Sequence, residues 1–318
     1  MTLVDRNISG FMLLDKPSGI SSHDAVQQVR KITRQRRVGH TGTLDPLATG
    51  LMILCLGSAT KAARFVSDMD KTYDAEICLG RTSETFDAEG VDSDQPEAEI
   101  PQMSKEQLSA VLAEFVGPQV QTVPYYSAVS VEGRRLYDLA RRGEEDIELP
   151  TREVEIKTLE LNSYETPHIK ATVSCSKGTY VRALAHDIGQ RIGCGAYLSG
   201  LRRIAIGRLN VSNALTMEDI TRYADDGSFG EHVLAYDKVF DYGAFKVTDE
   251  FERKVVSGVE LRYENVTGVD GKFNKGDRVF IRSSAGKVLA IGTAEMSALE
   301  ATEHKNDSRL FRYLRVLN

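Results

Sequence analysis

The stretch GHTGTLDPLATGLMIL, residues 39–54, sets a single carboxylate, Asp45, in a turn made of glycine and proline and follows it with an unbroken apolar run. Pro46 steers Asp45 away from helical backbone, and Gly39, Gly42 and Gly50 permit turns or close approaches that a side chain would block. The run at 51–56 reads as a strand that gives the loop a rigid base. Two readings fit this pattern: a tight surface turn that happens to carry an Asp, or a loop that presents a carboxylate to a ligand. The surrounding chain has to decide between them.

Upstream, Ser22 is placed to cap a helix through about Thr33, with Ala25, Val26, Val29 and Ile32 at helical spacing. Arg30, Lys31, Arg34, Arg36 and Arg37 gather on that helix and its exit. Downstream, Ser58 or Thr60 can start a helix through Phe65 and Val66. Residues 71–79 then alternate Tyr73, Ala75, Ile77 and Leu79 against Asp74, Glu76 and Cys78, the pattern of a half-buried strand. Ser104 and Gln107 form a capping box ahead of Leu108, Val111, Leu112 and Phe115, with Gly117 as the stop. Residues 125–150 hold short polar turns around one helical piece, 136–142, too small to bury a core of its own; they read as an arm over a cleft, with Arg134, Arg135, Arg141 and Arg142 as a second basic group. Two strands, 152–161 and 169–175, lead through Lys177-Gly178 into a helix whose face carries Val181, Leu184, Ala185, Ile188 and Ile192. The core of this unit is expected to finish near Thr221, with a linker after it. From about Phe240 a short helix at 249–257 and small strands separated by Gly258, Gly271, Gly276 and Ser284-Ala285-Gly286 describe a compact β module.

Length and composition set the class. The chain has 318 residues, 41% hydrophobic and 27% charged, enough for one large domain and a smaller one. No segment approaches about 18 uncharged apolar residues and the N-terminus lacks a basic region followed by an apolar core, so the expectation is a cytoplasmic protein with no membrane association. Cys55, Cys78, Cys175 and Cys194 are too far apart for a C-x-x-C metal knuckle and read as reduced, mostly buried thiols. The net charge of −6 argues weakly against a polyanionic partner, but the average hides two basic clusters, and much of the compensating acid sits at 84–99.

One residue breaks a local rule. If Thr179 caps the helix that follows, Arg182 falls in its first turn, where the macrodipole favours anions. Either its head reaches solvent or an anion is waiting for it; Asp45 or an RNA phosphate would serve. Tyr73 has a double reading too, as a core tyrosine or a stacking platform, and His40 reads as a loop histidine or a ligand contact.

With Asp45, Tyr73 and Arg182 in view, the chain closely resembles the bacterial tRNA pseudouridine-55 synthase family, TruB. The resemblance runs through LLDKPSGISS at 13–22, VGHTGTLDPLATGLM at 38–52, KTYDAEICLGRTSETFDAEG at 71–90, YSAVSVEGRRLYDLARRG at 126–143, CSKGTYVRALAHDIG at 175–189 and LRRIAIGRL at 201–209. One departure is Val123 before Pro124, where the family looks like Pro-Pro. The resemblance implies an α+β pseudouridine synthase fold, a mixed, largely antiparallel sheet flanked by helices, at 1–235, with a thumb at about 124–152. A β-rich PUA module would follow at 236–318, for which GDRVFIRSSAGKVLAIGTA at 276–294 supplies candidate strands.

The implied reaction breaks the N1–C1' bond of a uridine in tRNA, turns the uracil and rejoins it through C5, with no net redox change and so no cofactor or metal. Asp45 would either add covalently or take the C2' proton so that a glycal forms; both remain open. A free aspartate, with a pKa of about 3.9, is already ionised at pH 7. The part of Arg182 is therefore to keep Asp45 charged and aimed once RNA excludes water. Tyr73 would stack on the uracil and help remove the C5 proton. Tyr180 and Leu201 would line the uracil pocket, Lys16 and Pro17 support the loop, and His40 fill or prop the distorted RNA. Arg30, Arg34, Arg36, Arg37, Arg134 and Arg141 would hold phosphates of the tRNA T-arm and elbow. No obligate protein partner is implied. A non-catalytic tRNA-binding or folding protein, and a synthase of the same fold acting on another RNA, are the competing readings.

Overall fold

The computed structural model describes residues 8–317 apart from 128, 132, 141, 143–146 and 304–308. The strands in chain order are β1 (Gly10–Lys16), β2 (Val38–His40), β3 (Thr49–Leu56), β4 (Lys71–Leu79), β5 (Gly117–Thr122), β6 (Ser130–Val131), β7 (Arg134–Arg135), β8 (Thr151–Glu165), β9 (His168–Cys175), β10 (Ala196–Ile206) and β11 (Leu209–Asn210). They are followed by β12 (Gly243–Val247), β13 (Val266–Asp270), β14 (Arg278–Arg282), β15 (Val288–Ala294) and β16 (Phe311–Val316). The helices are α1 (Ser22–Thr33), α2 (Ala63–Ser67), α3 (Lys105–Ala113), α4 (Leu136–Ala140), α5 (Val181–Ile192), α6 (Met217–Asp226), α7 (Tyr236–Val239), α8 (Asp249–Val255) and α9 (Ala298–Glu303).

Among the described residues the large sheet runs β1-β3-β10-β4-β9-β8-β5, with β2 on β3 and β11 on β10. All its pairings are antiparallel except β3 with β10, so the expected mixed, largely antiparallel sheet is present. At that parallel seam Gly50, with φ of 99°, lies so close to β10 that a Cβ would come within 2.3 Å of the Arg203 carbonyl oxygen. Only glycine allows the two strands to meet there.

The period-2 alternation of β1 and β3 divides the core. Met12, Leu14, Met52, Leu54 and Leu56 face Ala25, Val26 and Val29 of α1 and Ile220 of α6. Phe11, Leu13, Leu51, Ile53 and Cys55 face the other way, onto Phe65 and Val66 and onto Phe240, Phe280, Ile291 and Leu317 from the C-terminal part. Because both faces are covered, residues 51–56 read as a continuous apolar run. In the other half of the sheet Tyr73, Ala75, Ile77 and Leu79 of β4 pack with Ile169, Ala171 and Val173 of β9 against Leu108 and Leu112 of α3 and Leu184, Ala185 and Ile188 of α5. A second sheet, β13-β12-β14-β15-β16, forms the β module. The four cysteines are free and buried.

Several local expectations shift. Ser21, not Ser22, caps α1, in a capping box with Asp24. The segment after β3 opens as a 3-10 turn over Gly57–Ala62 before α2. Gly117 does not stop α3, whose C-cap is Glu114; with φ of 108° it starts β5. The arm's helix is the five residues of α4, and Arg141 lies outside the described residues. No linker follows Thr221: α6 continues to Asp226, and Leu234 exchanges backbone hydrogen bonds with Phe11 of β1.

Candidate active site

The Asp45 loop spans β2 and β3 and is clamped from below. Lys16, at the end of β1, is fully buried, and its Nζ donates to the carbonyls of Pro17 (2.9 Å), Ile20 (2.7 Å) and Pro46 (3.3 Å). The amide of Gly19 donates to the same Pro46 carbonyl at 2.9 Å. The hydroxyl of Ser22 donates to the carbonyl of Leu44 (2.9 Å) and accepts its amide (2.8 Å), the pairing of a strand made by one side chain. Arg203, 1% exposed, donates through Nε to the Leu51 carbonyl (2.6 Å) and through Nη2 to that of Gly42 (3.2 Å). Lys16 and Pro17 thus lie behind the loop rather than on the cavity wall, as supports.

Asp45 itself is held out into a cavity of about 770 Å³. Its Oδ2 lies 3.5 Å from Nε of Arg182, the second residue of α5. Thr179 does not cap α5, because its hydroxyl donates to the Ser176 carbonyl; the N-cap is Tyr180, which offers no side-chain acceptor. Arg182 nonetheless lies in the first turn and is 5% exposed. Its Nη1 donates to the Thr85 carbonyl (3.1 Å) and lies 3.5 Å from Oδ2 of Asp87, while Nη2 donates to the Tyr126 carbonyl (2.6 Å). One guanidinium therefore ties together the Asp45 loop, the segment after β4 and the base of the arm. Asp45 is the exposed carboxylate of this array and Asp87 the buried one, with side-chain exposures of 43% and 4%.

The sequence reading missed Asp87, counting it within the compensating acid at 84–99. Its carboxylate also accepts from the Thr85 hydroxyl (2.5 Å) and the Glu89 amide (3.1 Å), which fixes it below Arg182. Lys71 was missed as well. It lines the cavity with Nζ donating to the Ser67 and Met69 carbonyls, and burial pushes its pKa down to about 8. A lysine that opens an alternating strand gives no sequence signal of this position.

Tyr73 lines the cavity from β4, opposite Arg203 in the register of β10. Burial pushes its phenol up, the neighbouring Arg203 guanidinium partly opposing this. Tyr180 and Leu201 complete the wall with Leu198. The amide and carbonyl of Tyr180 pair with the side chain of Gln121 at 3.0 and 3.3 Å, and the Arg152 guanidinium lies 5.2 Å from its ring centroid. Tyr126, Ser127, Arg135 and Tyr137 bring the arm over the cavity.

His40 is not part of that wall. It pairs with Leu54 on β3, half-buried, and burial followed by the charge of Arg203 pushes its pKa down, favouring the neutral imidazole. Of the basic residues, Arg34, Arg36, Arg37 and Arg134 are exposed, whereas Arg30 is half-buried and donates to the Val38 carbonyl at 3.1 Å. Arg135, from the second basic group, reaches the cavity, as does Arg152, which the sequence reading did not single out. Among the described residues there is no group of three His, Cys, Asp or Glu side chains that could hold a metal ion.

Residues 30–181 match the family model described as TruB family pseudouridylate synthase (N terminal domain), 182–240 that of the tRNA pseudouridylate synthase B C-terminal domain, and 243–309 the PUA domain. The tRNA pseudouridine synthase B of Xanthomonas campestris pv. campestris (strain 8004) is 45% identical over 231 residues, 72% of this chain and 73% of that one. The protein of the same name from Clostridium acetobutylicum is 40% identical over 257 residues, 80% and 86% of the two chains. Among solved structures, a chain of the archaeal box H/ACA sRNP Nop10-Cbf5 complex superposes with a TM-score of 0.73, covering 98% of this chain and 87% of its own at 22% identity, a likeness of fold. With relatives of this identity along most of its length, the chain belongs to the TruB family of pseudouridylate synthases.

Proposed function

We propose that this protein is a tRNA pseudouridine synthase that isomerises uridine 55 in the T loop, with Asp45 as the reacting carboxylate. The observation that carries the reading is the aim of Asp45: a half-exposed carboxylate on a clamped loop, 3.5 Å from a buried guanidinium, at the edge of a cavity walled by tyrosine and leucine. The named relatives supply the substrate class, tRNA.

A T-loop uridine is stacked, so the enzyme flips it out, at a cost of a few kcal/mol. The uracil enters between Tyr73, Tyr180 and Leu201, where aromatic stacking offsets part of that cost, about 1–3 kcal/mol per base. Water leaves, and Arg182 holds Asp45 ionised and oriented in a setting where a lone carboxylate would lose its solvation. Asp45 then either bonds to the sugar or base and is released again when C5 bonds to C1', or takes the C2' proton to form a glycal and returns it to C2' in that same step; in each route the N1–C1' bond breaks, the ring turns, C5 bonds to C1', and the C5 proton leaves. Tyr73 stacks on the base, and its hydroxyl helps remove the C5 proton in that last step. Redox equivalents are conserved throughout, so the reaction needs no cofactor.

The unit that does this chemistry is 1–235, with the thumb at 124–152, and 236–318 is an RNA-binding module. Arg34, Arg36, Arg37, Arg134, Arg135 and Arg152 contact phosphates of the T-arm and elbow, with recognition by loop shape. No helix among the described residues is long and apolar enough to cross a membrane, in keeping with a cytoplasmic enzyme acting on tRNA. The test is Asp45→Asn on a T-loop transcript: pseudouridine formation is abolished while binding stays within a few fold. Retained turnover would sink the assignment, and a wild-type protein that binds the transcript without product would favour the tRNA-folding alternative.

A further inference from the structure

Phe86 occupies a backbone conformation that bulky residues avoid, φ of 65°, between the two residues that hold Arg182 from below. Thr85 on one side gives its carbonyl to Nη1, and Asp87 on the other gives its carboxylate. The Phe86 carbonyl accepts from the Leu198 amide at 2.9 Å, next to the bridge between Asp87 and Leu198. The segment is thus folded tightly against β10, with the left-handed residue as its corner.

What covers that corner is a side chain of α5. The Phe86 ring is stacked on His186, with centroids 4.1 Å apart and planes at 21°. His186 lies one turn after Arg182 on the same helix, and its buried Nδ1 has no hydrogen-bond partner. On its Nδ1 side the imidazole therefore contributes through its face, in the stack with Phe86. An outlier this strained persists only where its surroundings over-determine it, and such outliers gather at functional sites.

We propose that Phe86 and His186 are positioning residues for the reaction: their stack holds residue 86 in the left-handed region, and that turn aims Thr85 and Asp87 at Arg182, which in turn aims Asp45. This rests on the catalytic role given above to Asp45 and Arg182. Without the stack, Phe86 relaxes to ordinary backbone angles and the flanking peptide planes rotate. The Thr85 carbonyl and Asp87 carboxylate then leave the guanidinium. Neither ring touches the cavity, so the effect reaches the reaction only through Arg182.

The experiment is a set of variants on the full chain, measured on a T-loop transcript and by the ¹⁵N signal of the Arg182 Nε–H, assigned with Arg182→Lys. His186→Ala is expected to lower kcat by about tenfold while KM stays within about twofold, because a misaimed catalytic group costs rate rather than binding. His186→Phe restores the stacked ring and most of kcat. In an Asp87→Asn background His186→Ala costs little more, since the route through Asp87 is already broken. The Arg182 signal moves in His186→Ala and returns in His186→Phe. Wild-type kcat with an unmoved Arg182 signal in His186→Ala overturns the proposal, as does an equal loss in the Asp87→Asn background. If wild type forms no pseudouridine, the functional reading fails, and the Arg182 signal alone still decides whether the stack positions the guanidinium.

Discussion

Arg182 stands where a helix disfavours a cation, a mismatch of a few tenths of a kcal/mol at an exposed site, and the fold resolves it with Asp87, almost wholly buried beneath it. A buried charge left without its partner costs far more, about 3–5 kcal/mol, so this pair fixes the guanidinium and leaves its Nε edge for Asp45. The anomaly of Arg182 was legible in the sequence because helix physics is local. Asp87 was not, because an Asp in an acidic run carries no mark of whether it will be solvated or sealed under a turn. Lys71 is a second sealed charge, and its depressed pKa makes a sign-definite prediction. Its pKa falls from 10.5 unfolded to about 8 folded, so between these values the unfolded chain binds more protons and stability from this group rises with pH. Above pH 9 the buried thiols Cys55 and Cys175, pushed up to about 12 and 11, work in the opposite sense. The difference between wild type and Lys71→Met isolates the lysine: relative to the variant, wild type should gain on the order of 2 kcal/mol from pH 7.5 to pH 10 in denaturant titrations. A constant difference would mean that Lys71 stays charged in the folded protein throughout.

At the scale of elements, α1 and the catalytic loop share two adjacent serines with separate tasks. Ser21 caps the helix and exchanges bonds with Asp24, whereas Ser22, already inside the helix, turns its hydroxyl to both backbone groups of Leu44. The sequence reading put the cap at Ser22; the structure bears out the helix and moves the cap to Ser21. Which serine caps was not legible from propensity, since both are equally good N-caps; the Ser-x-x-Asp spacing from 21 to 24 was the available signal. The same ambiguity moved the start of α5 by one residue, because Thr179 spends its hydroxyl on the preceding turn. Exchanging the serines one at a time separates stability from catalysis. Ser21→Ala should lower stability by about 1 kcal/mol and leave kcat unchanged. Ser22→Ala should lower kcat, because Leu44 then loses both anchors and the Asp45 turn loosens. The check is kcat on a T-loop transcript beside a thermal melt, and the reverse pattern would mean that the loop is held without Ser22.

At the scale of the whole molecule, the two sheets share one hydrophobic cluster. The structure covers β3 on both faces, whereas the sequence suggested a linker, a compact C-terminal module and, at 51–56, only a strand that gives the loop a rigid base. The sequence could not show that the second cover comes from more than two hundred residues away, because alternation records burial and not the identity of the neighbour. That cover is Phe280, Ile291 and Leu317, with Phe240 from the connecting segment. Polar links reinforce it: Asp68 binds Lys177 at 2.6 Å and Arg278 at 2.7 Å, and Arg64 donates to the Leu314 carbonyl at 2.9 Å. Asp68 thus joins the turn ahead of Tyr180 to the C-terminal sheet, and the strand beneath the catalytic loop has the module as one of its walls. The full chain is therefore expected to melt in a single calorimetric transition with matching calorimetric and van't Hoff enthalpies. Phe280→Ala, which empties part of the shared core, should cost about 3–5 kcal/mol and shift that transition without splitting it. Amide exchange should then quicken at Leu51 and Ile53 on β3 as much as on β14 and β15, since all of them open with the same core. A Phe280→Ala protein that melts in two steps, with exchange on β3 unchanged, would show that the module only leans on the catalytic sheet and that the loop carrying Asp45 stands without it.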